Sequence, residues 1–279
     1  MLCDLHTHSI FSDGTCTPEE IIDEAIRVGL SAVALTDHNT VDGLPDFQRA
    51  GAGRDIEIVL GNEFSADYNG KELHIVGLFI KPEHLDEVSA LMRGVIERKE
   101  QSNVELINAL AVDGYRLDYD EIKRSTPKGK INRAHIATAL TEKGYTASVN
   151  EAFDTVLSKS AGYYKEPKRL TAWEVIEFIE SIGAVSVLAH PFLQFTEDEL
   201  RAFLTEAKSH GLVGMECYYS ANDKKTTERS LEIAEEFGLL PSGGSDYHGA
   251  RKPDIGIGSG RGNLEIPYEC YLELKKRSK

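Results

Sequence analysis

The chain has 279 residues, with 46 acidic and 31 basic side chains and a formal net charge of −15. That balance argues against a broad basic surface for duplex nucleic acid, because phosphate neutralisation needs Lys and Arg. It leaves room for a small phosphorylated substrate, since bound divalent ions supply local positive charge that formal counting ignores.

An apolar fraction of 41% supports a real core, and the length suits one large domain or one domain carrying an insertion. No apolar run approaches the ~18 residues of a membrane span. Cys3, Cys16, Cys217 and Cys270 form no CxxC pair. Met1 leads straight into a first strand instead of a cleavable leader, so the expectation is a reduced, cytoplasmic protein.

Residues 1 to about 83 alternate strand and helix. LCDLHTHS reads as a strand. Thr17, Pro18 and Glu20 read as the cap, first position and capping-box glutamate of a helix with apolar residues at 21, 22, 25, 26 and 30. SAVALTDHN, IEIVLGNEFSAD and ELHIVGLFI read as the second, third and fourth strands. Such alternation predicts βα units and a mostly parallel sheet.

Residues 84–160 have helical spacing almost throughout and read as an insertion capping the active site, with TPKGK (126–130) as its clearest loop. From 161 to 279 the βα pattern returns. Thr171 and Glu174 form a second capping box, and AVSVLAHP, VGMECYYS and LPSGGSDYHG are three more strands.

The chemistry-bearing residues gather at these strands. His6 and His8 follow the first, with Asp13 just beyond it. Asp37 and His38 end the second, Glu63 ends the third, and His74 lies in the fourth. His190 ends AVSVLAHP, and Asp246 and His248 end the last. In a parallel barrel the C-terminal strand ends meet on one rim, so residues more than 240 positions apart can converge. Positions i and i+2 of a strand share a face, which pairs His6 with His8 and Asp246 with His248.

Imidazole and carboxylate together suit Zn, Mn or Fe(II), and the absence of thiolates argues against a structural zinc site. So many ligands imply two or three ions. Taken singly, His74 reads as a satisfied core histidine, His190 as a turn residue before Pro191, Glu63 as a solvated strand-end charge and Asp13 as a turn aspartate. Asp4 and Asp37 read as structural or as residues orienting a histidine through its other nitrogen. His84 and His210 read as surface or helix-end residues.

HTHSIFSDG, TDHN, the isolated Glu63, His74, AHP and GGSDYHG, in that order, resemble the PHP (polymerase and histidinol phosphatase) superfamily. The resemblance implies an α/β fold, a distorted (βα)7 barrel with a mostly helical insertion subdomain, holding up to three divalent ions of Mn, Fe or Zn. It also implies a ligand arrangement: His6, His8, Glu63 and Asp246 on a first ion, Asp13, His38 and His248 on a second, and Glu63, His74 and His190 on a third, with Glu63 bridging. Glu63, His190 and Asp246 are the expected catalytic residues. The position of Asp13 is His in some relatives.

INRAHIATALTEKGY followed by GYYKEP resembles the insert of small stand-alone phosphoesterases that act on nucleotides. Those enzymes remove the 3′-phosphate of nucleoside 3′,5′-bisphosphates or degrade short RNA from the 5′ end. Where relatives often read Arg-Pro-His, this chain has Arg133-Ala134-His135. The resemblance implies phosphomonoester hydrolysis by a hydroxide bridging two ions, with no protein nucleophile. Ser245 lacks the flanks of a nucleophile elbow and reads as structural.

Arg133, His135 and Lys165 are the expected substrate-binding residues, with Lys168 and Arg169 behind them. Tyr163 and Tyr164 either stack on a base or pack between insert and barrel. The expected partner is a phosphorylated small molecule, a nucleotide or short oligonucleotide, with no duplex nucleic acid and no membrane. The rival readings are a phosphatase for a non-nucleotide ester such as histidinol phosphate, and a non-catalytic binding module, which a degraded ligand set would signal.

Overall fold

A computed structural model describes residues 1–125, 131 and 133–279. The loop read over 126–130 lies outside the described residues. Seven strands form one sheet in chain order: β1 (Cys3–Asp4), β2 (Ala32–Leu35), β3 (Glu57–Tyr68), β4 (Lys71–Leu78), β5 (Val185–Leu188), β6 (Gly214–Tyr219) and β7 (Leu240–Gly244). The helices are α1 (Pro18–Arg27), α2 (Leu44–Gly51), α3 (Leu85–Val112), α4 (Tyr119–Ser125), α5 (Arg133–Glu142), α6 (Val149–Asp154), α7 (Ala172–Ser181), α8 (Pro191–Gln194), α9 (Glu197–Ala207), α10 (Lys224–Phe237) and α11 (Tyr268–Lys275).

The sheet curls back on itself. Leu5 N–H donates to Gly243 C=O at 3.1 Å, and Thr7 bridges Tyr247 in parallel, so the last strand returns to the first. The result is a distorted seven-stranded barrel. Its interior is filled by Cys3, Leu5, Ala34, Val59, Val76, Val187 and Ile266, all essentially buried. Cys3 and Cys217 are both fully buried.

The barrel is not uniformly parallel. β4 runs antiparallel to both β3 and β5. The cause is local: Asn69 and Gly70 sit at φ 55° and 80° between paired Tyr68 and Lys71, a two-residue hairpin turn that needs two left-handed residues. Asn-Gly is a strong short-range hairpin signal, and it was available in the sequence.

The helix starts follow the sequence reading. Thr17 and Thr171 each accept from the N–H of the glutamate three residues on, whose carboxylate returns to the cap. Thr196 and Glu199 make a third capping box at α9.

The chain divides into two compact units, Met1–Met92 with Arg169–Lys279, and Arg93–Lys168. The second has its own small core, in which Leu106, Leu110, Ile136 and Leu140 meet Ala152 and Leu157. No helix among the described residues is long and apolar enough to cross a membrane.

Candidate metal centre

The nine expected ligands come from loops and strands of the first unit and fall into four overlapping groups: His8, Asp13, His38 and His248; His6, Glu63 and His190; His6, His8 and Asp246; and His38, Glu63 and His74. Within each group the candidate ligand atoms lie within 4.8 Å of one another. Seven of the nine lie beyond the ends of strands. Glu63 and His74 differ: β3 runs on past Glu63 to Tyr68 instead of ending there, with Glu63 opposite Val76, and His74 lies within antiparallel β4, opposite Ser65.

β1 pairs only through Asp4, so His6 and His8 are extended beyond its ladder, with ring centroids 5.0 Å apart. Backbone bonds hold them there, Asp246 N–H to His6 C=O at 3.0 Å and His8 N–H to Tyr247 C=O at 2.9 Å. Gly244 permits that approach: a Cβ on it would fall 2.0 Å from the His6 Cβ. His190 (φ 29°) and Asp246 (φ 56°) occupy the left-handed region, a backbone strain that clusters at functional sites.

Glu63 is fully buried at the centre. Its Oε2 lies 3.2 Å from His6 Nε2, 3.3 Å from His8 Nε2 and 2.9 Å from His38 Nδ1, while Oε1 lies 2.7 Å from His74 Nδ1 and 2.9 Å from His190 Nε2. Asp246 Oδ1 is 3.2 Å from His8 Nε2, and Asp13 Oδ1 is 3.2 Å from His248 Nε2.

Burial alone would raise the Glu63 carboxyl, but the His6 and His74 charges hold it well below the usual range. Asp246 is depressed against burial by the adjacent His8 imidazole and by the His6 charge. His74, against burial, is raised to about 10 by Glu63. His6, also against burial, is raised by Glu63 and Glu216. Burial dominates at His8 and lowers it to about 3.

Several of these atoms are close without being satisfied. His6 Nε2, both His8 ring nitrogens, Glu63 Oε2 and His74 Nδ1 are buried and make no hydrogen bond. An unpaired buried polar atom is expensive, and five converging on one region is what ligand atoms aimed at shared cations look like. The all-nitrogen-and-oxygen donor set fits divalent Zn, Mn or Fe.

Asp4 and Asp37 touch no imidazole. Asp4 accepts from the backbone N–H groups of Ser245, His6 and Gly258, at 2.9, 3.3 and 2.8 Å. Asp37 ties down Ser9 and Ser12. Both hold the loops that present ligands. Ser245 takes part through its backbone, donating to Asp4 and accepting from Ser220.

The residue that does meet an imidazole's far nitrogen is Glu216, 2.7 Å from His6 Nδ1. Sequence reasoning passed it over, although a lone charge inside the apolar strand GMECYY was a usable signal. Tyr219 and Lys252 were also missed. They donate to the outer oxygen of Asp246 at 2.9 and 2.7 Å.

The expected substrate residues Arg133, His135 and Lys165 belong to the second unit. Arg133 and His135 are in α5 of the second unit, where the Arg133 guanidinium lies 4.4 Å from the Tyr164 ring centroid and 5.9 Å from that of Phe153. His135 borders a cavity of about 250 Å³ with Asp118, Glu121 and Lys143. Lys165 and Lys168 border another of about 500 Å³ with Arg98. Tyr163 donates to Asp113, and Arg169 pairs with Glu72. Both tyrosines contact residues of their own unit, Tyr163 with Asp113 and Tyr164 with Arg133.

Among the described residues the clustered donors are histidines and carboxylates, a donor set of the kind metal-dependent hydrolases use. The family model of the PHP domain matches residues 4–166, and the chain belongs to that family. It is 30% identical to a 5′-3′ exoribonuclease of Haemophilus influenzae, over 88% of this chain and 89% of that one. It is 30% identical to a phosphoribosyl 1,2-cyclic phosphate 1,2-diphosphodiesterase of Eggerthella lenta, over 92% and 98%. Against a 3′,5′-nucleoside bisphosphate phosphatase of Chromobacterium violaceum the figures are 28%, 98% and 96%. The chain is a metal-dependent phosphoesterase.

Proposed function

We propose that the protein hydrolyses phosphate esters of nucleotides, with the 3′-phosphate of nucleoside 3′,5′-bisphosphates as its preferred target and the 5′ end of short RNA as a further one. The observation that carries this reading is Glu63, which belongs to two of the four overlapping ligand groups and whose two oxygens reach five histidines. Two or three divalent ions fit that arrangement. When bound, they supply a nucleophile from water near neutral pH and positive charge for the phosphate oxygens.

The chain's own residues then do the following. Glu63 bridges the groups and keeps them at a common spacing. His190 and Asp246, on strained backbone, present ligand atoms from opposite ends of the sequence. Lys252 and Tyr219 engage the outer Asp246 oxygen and leave the inner one toward His8. Arg133, His135 and Lys165 are proposed to hold the substrate's phosphates, Arg133 by bidentate contact.

Similarity to the Eggerthella lenta enzyme favours a second reading, hydrolysis of a cyclic ribose phosphate diester. The same ions and ligands would serve it, because both reactions place a water-derived oxygen on phosphorus. The test measures, with Mn²⁺, phosphate release from a nucleoside 3′,5′-bisphosphate and from histidinol phosphate, mononucleotide release from 5′-phosphorylated short RNA, and ring opening of a ribose 1,2-cyclic phosphate. The proposal expects the bisphosphate to have the highest kcat/KM and chelation to abolish turnover. A preference for the cyclic diester selects the second reading. A preference for histidinol phosphate, or turnover that persists in chelator, overturns both.

A further inference from the structure

β6 reads Gly-Met-Glu-Cys-Tyr-Tyr, and its Met215 and Cys217 are fully buried apolar residues. Glu216 between them is 1% exposed. A carboxylate in such surroundings is costly unless both oxygens find donors. Both do. Oε1 lies 2.7 Å from His6 Nδ1, and Oε2 accepts the backbone N–H of His190 at 2.7 Å. The pairing of β6 with β7 shifts register between Glu216 and Tyr218, the kind of irregularity that re-aims a side chain beside a site.

Glu216 belongs to none of the ligand groups, and its oxygens are already used. Its two partners come from distant parts of the sequence and share one group, His6 and His190 with Glu63, while His6 also enters a second with His8 and Asp246. A carboxylate only accepts, so His6 Nδ1 carries the proton of this bond and Nε2 is the nitrogen available to an ion. Nε2 is the His6 atom that is buried without a hydrogen bond. On its other arm, Glu216 ties down the residue whose backbone is at φ 29° and ψ 58°.

We propose that Glu216 is the positioning residue of the metal centre: it fixes the tautomer and ring plane of His6 and pins the left-handed turn that carries His190. The inference rests on the reading of those two histidines as metal ligands. It explains why a carboxylate stands at this point of an apolar strand. Both partners are donors, and Glu offers two acceptors where Gln offers one. Glu216→Gln therefore keeps the shape and the burial, but its amide accepts from only one of the two donors: either one bond is lost or His6 moves its proton to Nε2, the nitrogen an ion needs.

The experiment loads full-length wild type and Glu216→Gln with Zn²⁺, which is diamagnetic. It measures affinity by competition with a chromophoric chelator and histidine ring protonation by nitrogen-edited NMR. In wild type a strongly downfield Nδ1–H signal of His6 is expected, with Nε2 unprotonated. In the variant that signal moves or vanishes, and Zn²⁺ affinity falls about 10- to 100-fold, the usual cost of losing a ligand's supporting partner.

A residue that merely fills the barrel would lower thermal stability and leave affinity and the His6 signal unchanged, and that result overturns the inference. If the variant fails to fold, the wild-type spectrum decides: His6 protonated on Nε2 rejects the proposal, and protonation on Nδ1 upholds it. Absence of Zn²⁺ binding by wild type overturns the metal reading itself, which is a separate and recognisable failure.

Discussion

The barrel rim and the helical insert treat their charged groups in opposite ways. At the rim, charge is buried and over-concentrated, and several ligand atoms have no hydrogen bond although carboxylates lie within 3.3 Å. In the insert, Arg133 rests on Tyr164, Lys123 pairs with Glu100, and Lys143 faces Glu121 at 3.6 Å. Strain and unmet polar atoms indicate a site poised for a ligand, whereas satisfied surface charge serves folding and binding equally well. The rim therefore identifies its own chemistry from geometry. The insert does not, and its role has to come from perturbation.

The largest expected effect tests the rim. Glu63→Gln removes the charge shared among the groups while keeping the volume. A loss of several kcal/mol of transition-state charge stabilisation corresponds to roughly a 10³-fold fall in kcat/KM. Phosphate release with saturating Mn²⁺ measures it, alongside metal content. A variant with full metal content and activity within threefold of wild type would remove Glu63 from the centre of the mechanism.

Next is the insert. Arg133→Met should raise KM for a bisphosphorylated substrate by about tenfold if the guanidinium meets phosphate, since each lost charge-assisted bond is worth about 1.5–3 kcal/mol. If Arg133 only covers Tyr164 and Phe153, the change is in stability, about 0.5–2 kcal/mol, with KM unmoved. Steady-state kinetics and denaturant unfolding on the same variant separate the two.

The rim was legible in the sequence because its ligands are tied to a period. Histidines and carboxylates that follow successive strands must meet on one edge of a closed sheet, whatever their separation along the chain. The route by which β4 enters was less legible. The sequence read as strands in series, and reversal depended on the backbone conformation of Asn69 and Gly70. Glu216 escaped because its role is fixed by partners 210 and 26 residues away, which no local pattern records. The functions of Arg133, His135 and Lys165 were not legible at all, because a cation on a helix or loop looks the same whether it holds phosphate or a neighbouring ring.

A pH experiment sharpens the contrast at the rim. His6 is raised and His74 is raised to about 10 by neighbouring carboxylates. A raised histidine contributes stability that is fully present below its unfolded value, about 6.5, and lost as pH climbs through the folded value. Metal-stripped protein should thus lose Tm between about pH 6.5 and 10. His8, lowered to about 3, acts only below that window, where falling pH destabilises. Metal binding needs neutral imidazoles, so the Tm gained on adding Zn²⁺ should grow from pH 6 to 8. Scanning calorimetry with and without Zn²⁺ checks both slopes, and equal slopes would mean the histidines do not take up metal.

The smallest effect isolates the fold from the site. Gly70 sits at φ 80° in the β3–β4 turn, and a Cβ there would meet nothing within 4 Å. Gly70→Ala therefore imposes conformational strain without a clash, about 1–2 kcal/mol for an L-residue held left-handed. The loss should show in denaturant unfolding. Because the turn only sets the direction of β4, and His74 is held by the ladder through Ser65 and by Ala189 N–H on its carbonyl, Zn²⁺ affinity should stay within twofold. A large fall in affinity would mean that the reversed strand, and with it His74, depends on this one turn for its register. The ligand that most departs from the strand-end rule would then be the one most exposed to a change in the fold.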